Sequence, residues 1–92
     1  MLETLICRME TASEQSRDDI LNGKRSYPLP VCRWAIGSKL MDCGYPSTKV
    51  SKALGIDHAT LLYGRKKLLR IKEKLGWTWE IEIITKFEKL CS

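Results

Sequence analysis

A short stretch near the middle of the chain holds residues able to read or grip a polyanion. Thr60, Tyr63 and Lys67 recur three and four residues apart. A 3.6-residue helix places them on one stripe, with Ala59 beside it. A threonine offers a methyl to thymine and a hydroxyl to phosphate. Tyr63 offers apolar contact to a thymine methyl, or equally a cover for a helix pair. Lys67 supplies a cation. Asp57 stands where such a helix begins. As an N-cap it satisfies backbone amides, worth ~1 kcal/mol; as a reader it accepts from a cytosine amino group. The cap alone accounts for it, and reading adds to that in a complex. His58 can donate to a base acceptor or a phosphate, although a lone histidine more often serves surface or packing.

These residues need a frame, and the frame is legible from Ser47 to Leu75. Val50, Ala53 and Leu54 form an apolar-periodic segment that ends at Gly55. Ile56 follows as a buried hinge, and Leu61, Leu68, Ile71 and Leu75 mark a second periodic segment. Helix, glycine-containing turn and helix is the pattern of a helix-turn-helix, over about 47–75. In that motif the second helix enters the major groove. Ser47 is expected to cap the first helix. Gly64 lies on the inward stripe with Leu61 and Leu68. A glycine inside a helix costs about 1 kcal/mol against alanine, which close helix approach would offset.

The totals agree with one domain. Ninety-two residues support a modest core and no second one. The net charge is +5, unevenly placed. Residues 24–74 hold twelve basic and three acidic residues, while both flanks are net acidic. A basic centre suits a polyanion; the plainer alternative is a solvated basic face. Cys7, Cys32, Cys43 and Cys91 form no CxxC pair, so neither a disulfide framework nor a metal site with His58 is expected. The acidic N-terminal stretch does not read as a secretory leader, and no apolar run reaches the ~20 residues a membrane span needs. No cofactor is expected, and a cytoplasmic protein is.

The remaining segments read as helices. Leu2, Leu5, Ile6 and Met9, with Ala12 further on, predict an amphipathic helix over 2–14. Ser16 reads as the N-cap of a short helix with Asp18 and Asp19 in its first turn, stopped at Asn22-Gly23. Lys24 to Pro30 is a basic loop with two prolines. Val31 to Met41 is the next helix, with Trp34, Ala35, Leu40 and Met41 as core contacts. Cys43 to Pro46 breaks it. Gly76 ends the basic helix. The last helix starts at Thr78 or Trp79 and docks through Ile81, Ile84, Phe87 and Leu90, with Trp77 and Trp79 packing there too. The alternation of Trp79–Ile83 is strand-like, but the longer spacing makes it helix. The fold class is all-α, with five to six helices.

The stretch Gly55-Ile56-Asp57-His58-Ala59-Thr60-Leu61-Leu62-Tyr63-Gly64-Arg65-Lys66-Lys67 resembles a known signature. It is similar to G-x-R-D-H-[ST]-T-V-x-x-[AG]-x-x-K, that of the C-terminal DNA-binding domain of the bacterial replication initiator DnaA. The Asp-His pair, Thr60, the small Gly64 and Lys67 fall in place. Ser16–Arg25 resembles that family's short capped helix and basic loop. Arg33–Leu40 and Trp79–Leu90 resemble its following and last helices, so nearly the whole chain is covered. The resemblance implies a Trp-repressor-like all-α fold and binding of a nine-base-pair box at replication origins and in some promoters. By position it implies that Asp57, His58, Ala59, Thr60 and Tyr63 lie at the major groove and that Lys67 reaches a phosphate. Lys24 and Arg25 would enter the minor groove, Ser47 and Thr48 would touch backbone, and Arg33 would take a neighbouring contact. The arginine before Asp-His is missing, the turn is one residue shorter, Ala59 replaces a hydroxyl residue, Tyr63 stands where histidine is common and the loop has fewer arginines. These changes fall on the reading surface, so the family's own box sequence is not assumed.

No G-x-x-x-x-G-K-[ST] is present, so this chain does not hydrolyse ATP or melt an origin itself. An ATPase domain or another replication protein in trans would supply that. Met1 and the complete first helix point to a free-standing relative rather than an excised domain. The expected function is sequence-specific binding of double-stranded DNA as a monomer, in replication control or transcription. Lys49, Lys52, Arg65, Lys66 and Arg70 would join Lys24, Arg25 and Lys67 in a salt-dependent, sequence-independent contribution. The alternative is an interaction or non-specific DNA-binding domain that kept the fold and lost the reading surface; the missing arginine and Ala59 favour it. An enzyme has little support, since no triad or carboxylate pair is indicated.

Overall fold

A computed structural model of the chain describes residues 1–21, 26, 28–73 and 78–91. It contains α1 (Leu2–Ser13), α2 (Arg17–Leu21), α3 (Leu29–Asp42), α4 (Ser47–Leu54), α5 (His58–Glu73) and α6 (Trp79–Cys91). No strand occurs among the described residues, and Trp79–Ile83 is helical as its longer spacing implied. The expected stop at Asn22-Gly23, the loop cations Lys24 and Arg25, and Leu75, Gly76 and Trp77 lie outside the described residues.

The fold is built around α3, which touches each of the other five helices. It buries Leu29, Val31, Cys32, Arg33, Ala35, Ile36, Gly37 and Leu40. A helix covered on every side has no polar face, so periodicity is a poor guide to it. That is why Val31, Cys32 and Ile36 escaped the sequence reading. α3 starts two residues before the expected Val31, with Pro30 in the first turn where a missing N–H costs nothing. Trp34 and Met41 pack against the core half-buried.

The two most extensive helix pairs are α1 with α6 and α3 with α5. Leu5, Ile6, Met9 and Ala12 of α1 are buried, as their spacing predicted. On α6 the buried residues are Ile83, Ile84 and Phe87. Ile81 packs against the core half-buried, whereas Leu90 is 42 % exposed and Trp79 is 65 % exposed, against the expectation that both dock. The reason is geometric: each three-residue step falls about 60° short of a full turn. A series from Ile81 to Leu90 therefore wanders half-way round the helix.

Local signals set the helix ends. α1 stops at Glu14, which takes φ 59° and donates its N–H to the Glu10 carbonyl at 2.9 Å. The Ser16 hydroxyl accepts the Asp19 N–H at 3.2 Å, the capping bond its position predicted. Arg17 pairs with Glu3 and ties α2 to α1. The Thr78 hydroxyl accepts the Ile81 N–H at 3.2 Å and caps α6.

Candidate nucleic-acid interface

The turn between α4 and α5 is fixed by its backbone. Gly55 takes φ 68°, a left-handed conformation open to glycine at little cost. Its N–H donates to the Lys52 carbonyl at 3.2 Å, and the Ile56 N–H donates to Ser51 at 3.0 Å. This double bond pattern closes a helix and reverses the chain sharply. Three residues later α5 begins, with the Leu61 N–H on the Asp57 carbonyl at 2.9 Å. Val50, Leu54 and Leu61 are buried and seat both helices against α3. A Cβ on Gly37 would lie 2.5 Å from Leu61 Cδ1 and 3.1 Å from Leu54 Cδ1. Glycine at 37 is thus what lets the pair approach. The sequence reading passed over it, although a glycine inside a helical segment is a signal of close packing.

Two capping expectations are corrected. Pro46, in extended conformation, precedes α4, and Ser47 is its first helical residue without a side-chain cap bond. The Ser47 hydroxyl instead lies 2.7 Å from His58 Nε2. This hydrogen bond joins the first residues of α4 and α5. Asp57 does precede α5, but its exposed carboxylate makes no side-chain hydrogen bond among the described residues. Its capping is by backbone alone.

The buried side of α5 carries Leu61, Gly64, Leu68 and Ile71. The other side exposes Ala59, Thr60, Tyr63, Lys66, Lys67 and Arg70. The stripe of Thr60, Tyr63 and Lys67 therefore faces solvent as one surface. Thr48, Lys49 and Lys52 are exposed on α4. Lys49, Lys52, Lys66, Lys67 and Arg70 form no ion pair among the described residues. Arg65 departs from the expected set of free cations. Its guanidinium pairs with Asp42 at 2.7 Å and donates to the Ser38 carbonyl at 3.0 Å and to the Ser38 hydroxyl at 3.2 Å. It clamps α5 to the end of α3. Lys72 pairs with Glu88 of α6.

Arg33, expected at the surface, is 4 % exposed. Its guanidinium donates to the Ile20 carbonyl at 3.0 Å, holding the end of α2 on α3. Burial pulls its pKa down, against an opposing influence of neighbouring Cys32. The same burial pushes the Cys32 thiol up, with Ser13 and Arg33 acting the other way.

Gly64 has the close approach its inward position called for. A Cβ there would lie 2.2 Å from Trp34 Cδ1 and 2.3 Å from its Cγ, so the indole lies directly on the α5 backbone. From that seat Trp34 meets Tyr63 edge to face, with centroids 6.0 Å apart and planes at 82°. Both rings line an open cleft of about 600 Å³ between the start of α3 and the α4–α5 turn. Ile56, Asp57 and Thr60 complete the wall nearest the stripe, and Arg33 lies behind. Nothing in the spacing of Trp34 singled it out beyond a core contact. Comparison with known protein families, curated proteins and solved structures finds no match to this chain.

Proposed function

We propose that this protein binds double-stranded DNA sequence-specifically, with α4 and α5 acting as a helix-turn-helix and α5 entering the major groove. The observation that carries the reading is the solvent-facing stripe of Thr60, Tyr63 and Lys67, on a helix whose start is fixed by a tight glycine turn. Direct readout uses hydrogen-bonding and methyl-bearing side chains at the head of an accessible helix, with cations placed for phosphates. Ala59, Thr60 and Tyr63 are the reading group. Lys67, with Lys49, Lys52, Lys66 and Arg70, supplies the salt-dependent contribution. Thr48 lies on α4 where backbone phosphates would pass. Asp57 is free to accept from a base. His58 reads through its remaining ring nitrogen, or exchanges Ser47 for DNA. On the resemblance of residues 55–67 to the DnaA signature, the activity proposed is in replication initiation, its regulation, or transcription control, on the nucleoid in the cytoplasm. The protein acts as a monomer, with any ATPase supplied in trans.

The test is selection from random duplexes at near-physiological salt, with Thr60→Ala and Lys67→Ala alongside. The wild-type protein is expected to enrich a motif. Thr60→Ala should blunt that motif at one position, by ~1–3 kcal/mol of lost discrimination. Lys67→Ala should weaken all sequences alike and reduce the salt slope by about one contact. Binding without any enriched motif would sink the sequence-reading claim.

One observation favours a second reading, a protein-interaction domain. Leu62 and Leu69 are exposed two turns apart on a different flank of α5. Their removal should leave DNA binding intact if the first reading holds.

A further inference from the structure

We infer that Trp34, which stands behind the reading stripe, is a positioning residue that sets which base step Tyr63 reads. The inference rests on the DNA-binding reading above. Tyr63 is the largest side chain of the stripe and is 58 % exposed. A tyrosine so exposed on a helix ordinarily moves among rotamers, and a mobile ring discriminates poorly because binding must first order it. Here the ring is held. Trp34 contacts Tyr63 edge to face, an arrangement favoured by the ring quadrupoles. Trp34 in turn cannot drift, because Gly64 lets its indole rest on the backbone of α5. The three residues form one device. Gly64 admits the indole, the indole fixes the tyrosine, and the tyrosine ring is presented between Thr60 and Lys67.

The device also explains the choice of residues. Alanine at 64 would favour the helix by about 1 kcal/mol, yet its methyl would occupy the space of the indole. Tryptophan at 34 reaches over the glycine and still meets Tyr63 in a T-shaped contact. Phenylalanine keeps an aromatic ring there, whereas leucine does not. Half-burial of Trp34 agrees with a side chain that is shared between core and cleft.

The experiment compares motifs selected by the wild-type protein, Tyr63→Leu, Trp34→Leu, Trp34→Phe and the Tyr63→Leu/Trp34→Leu double variant. The folded fraction of each is measured by circular dichroism. Two-dimensional NMR of the free proteins follows the Tyr63 ring protons, which sense the indole ring current. Tyr63→Leu should lose roughly tenfold preference at one base step. Trp34→Leu should lose preference at that same step, with the salt slope unchanged, and the double variant should lose no more than Tyr63→Leu alone. Trp34→Phe should restore most of it. The Tyr63 ring resonances should shift and average in Trp34→Leu without DNA. A motif from Trp34→Leu identical to the wild-type one would overturn the inference, as would losses spread evenly over all positions. A wild-type protein that selects no motif would overturn the DNA reading itself and this inference with it. A motif that is kept while Tyr63 stays fixed without Trp34 would remove only the positioning role.

Discussion

The helices α3 and α5 pack on each other, yet they divide the labour of the molecule. α3 buries eight of its fourteen residues; α5 buries four of sixteen. The same side chain types follow opposite fates on the two. Arg33 of α3 lies inside and hydrogen-bonds a carbonyl, whereas Arg70 of α5 is exposed with no ion pair among the described residues. Each helix also gives the other a glycine. Gly37 receives Leu61, and Gly64 receives Trp34. The difference teaches that one helix is specified by volume and the other by what it presents to solvent. Substitutions should separate them accordingly.

The largest separation is expected from truncation. Ile36 is fully buried, so Ile36→Ala should lower stability by about 2–5 kcal/mol through lost transfer energy and a cavity. Leu69→Ala on α5 removes a similar side chain that is mostly exposed, and should change stability by less than about 0.5 kcal/mol. Urea unfolding followed by circular dichroism measures both. Comparable losses would mean that α5 is covered by something, and the division would fail.

Next comes the contact itself. Gly64→Ala gains about 1 kcal/mol of helix propensity but drives a methyl into the indole. Displacing a packed ring costs more than the gain, so a net loss of about 1–2 kcal/mol is expected. A red shift of Trp34 fluorescence should accompany it as the indole moves into solvent; Trp77 and Trp79 are replaced by phenylalanine to isolate the signal. A stabilised variant with unchanged fluorescence would show that α3 and α5 are farther apart than this geometry.

How much of this was legible depends on which helix is considered. α1, α4 and the buried stripe of α5 are amphipathic, and a 3.6 period reveals such faces directly. The exposed stripe at 60, 63 and 67 followed from the same arithmetic, because whatever is not inward must face out. α3 was legible only in outline, since a helix packed on all sides carries no period. On α6 a spacing of three finds Ile81, Ile84 and Phe87, but it passes over Ile83 and carries the face too far, to Leu90. Side-chain partnerships were the least accessible. Arg33 and Arg65 look like surface cations in a sequence, and only the tertiary positions of Ile20, Ser38 and Asp42 turn them inward. Ser47 looks like a cap until His58 is found beside it.

Cys32 gives α3 a titration signature of burial. Its folded pKa is raised, so the folded state keeps a proton that the unfolded chain sheds above about pH 8.5. Stability from this group is fully present below that pH. It falls as pH rises toward the folded value, by at most about 1.4 kcal/mol per pH unit. Cys32→Ala should flatten that alkaline limb in a series of unfolding curves from pH 7 to 10. In the native wild-type protein, iodoacetamide should label exposed Cys7 and Cys43 well before Cys32. An alkaline limb that persists in the variant would assign it to another group.

The smallest effect tests the border between the two regimes. The Ser47–His58 hydrogen bond is exposed, so its loss should cost about 0.5–1 kcal/mol. Ser47→Ala, His58→Ala and the double variant form a cycle, and a favourable coupling near that value is expected from pairs in contact. The bond joins α4 and α5 at the end of α5 nearest Thr60. If the coupling is present, the head of α5 is held by its own surface as well as by Leu61 and Gly37. Under the proposed DNA-binding function, DNA that claims the histidine must then overcome that small coupling, and Ser47→Ala should bind slightly more tightly wherever His58 is used. If the coupling is absent, the core alone sets the start of α5, and His58 belongs wholly to the exposed side of the molecule.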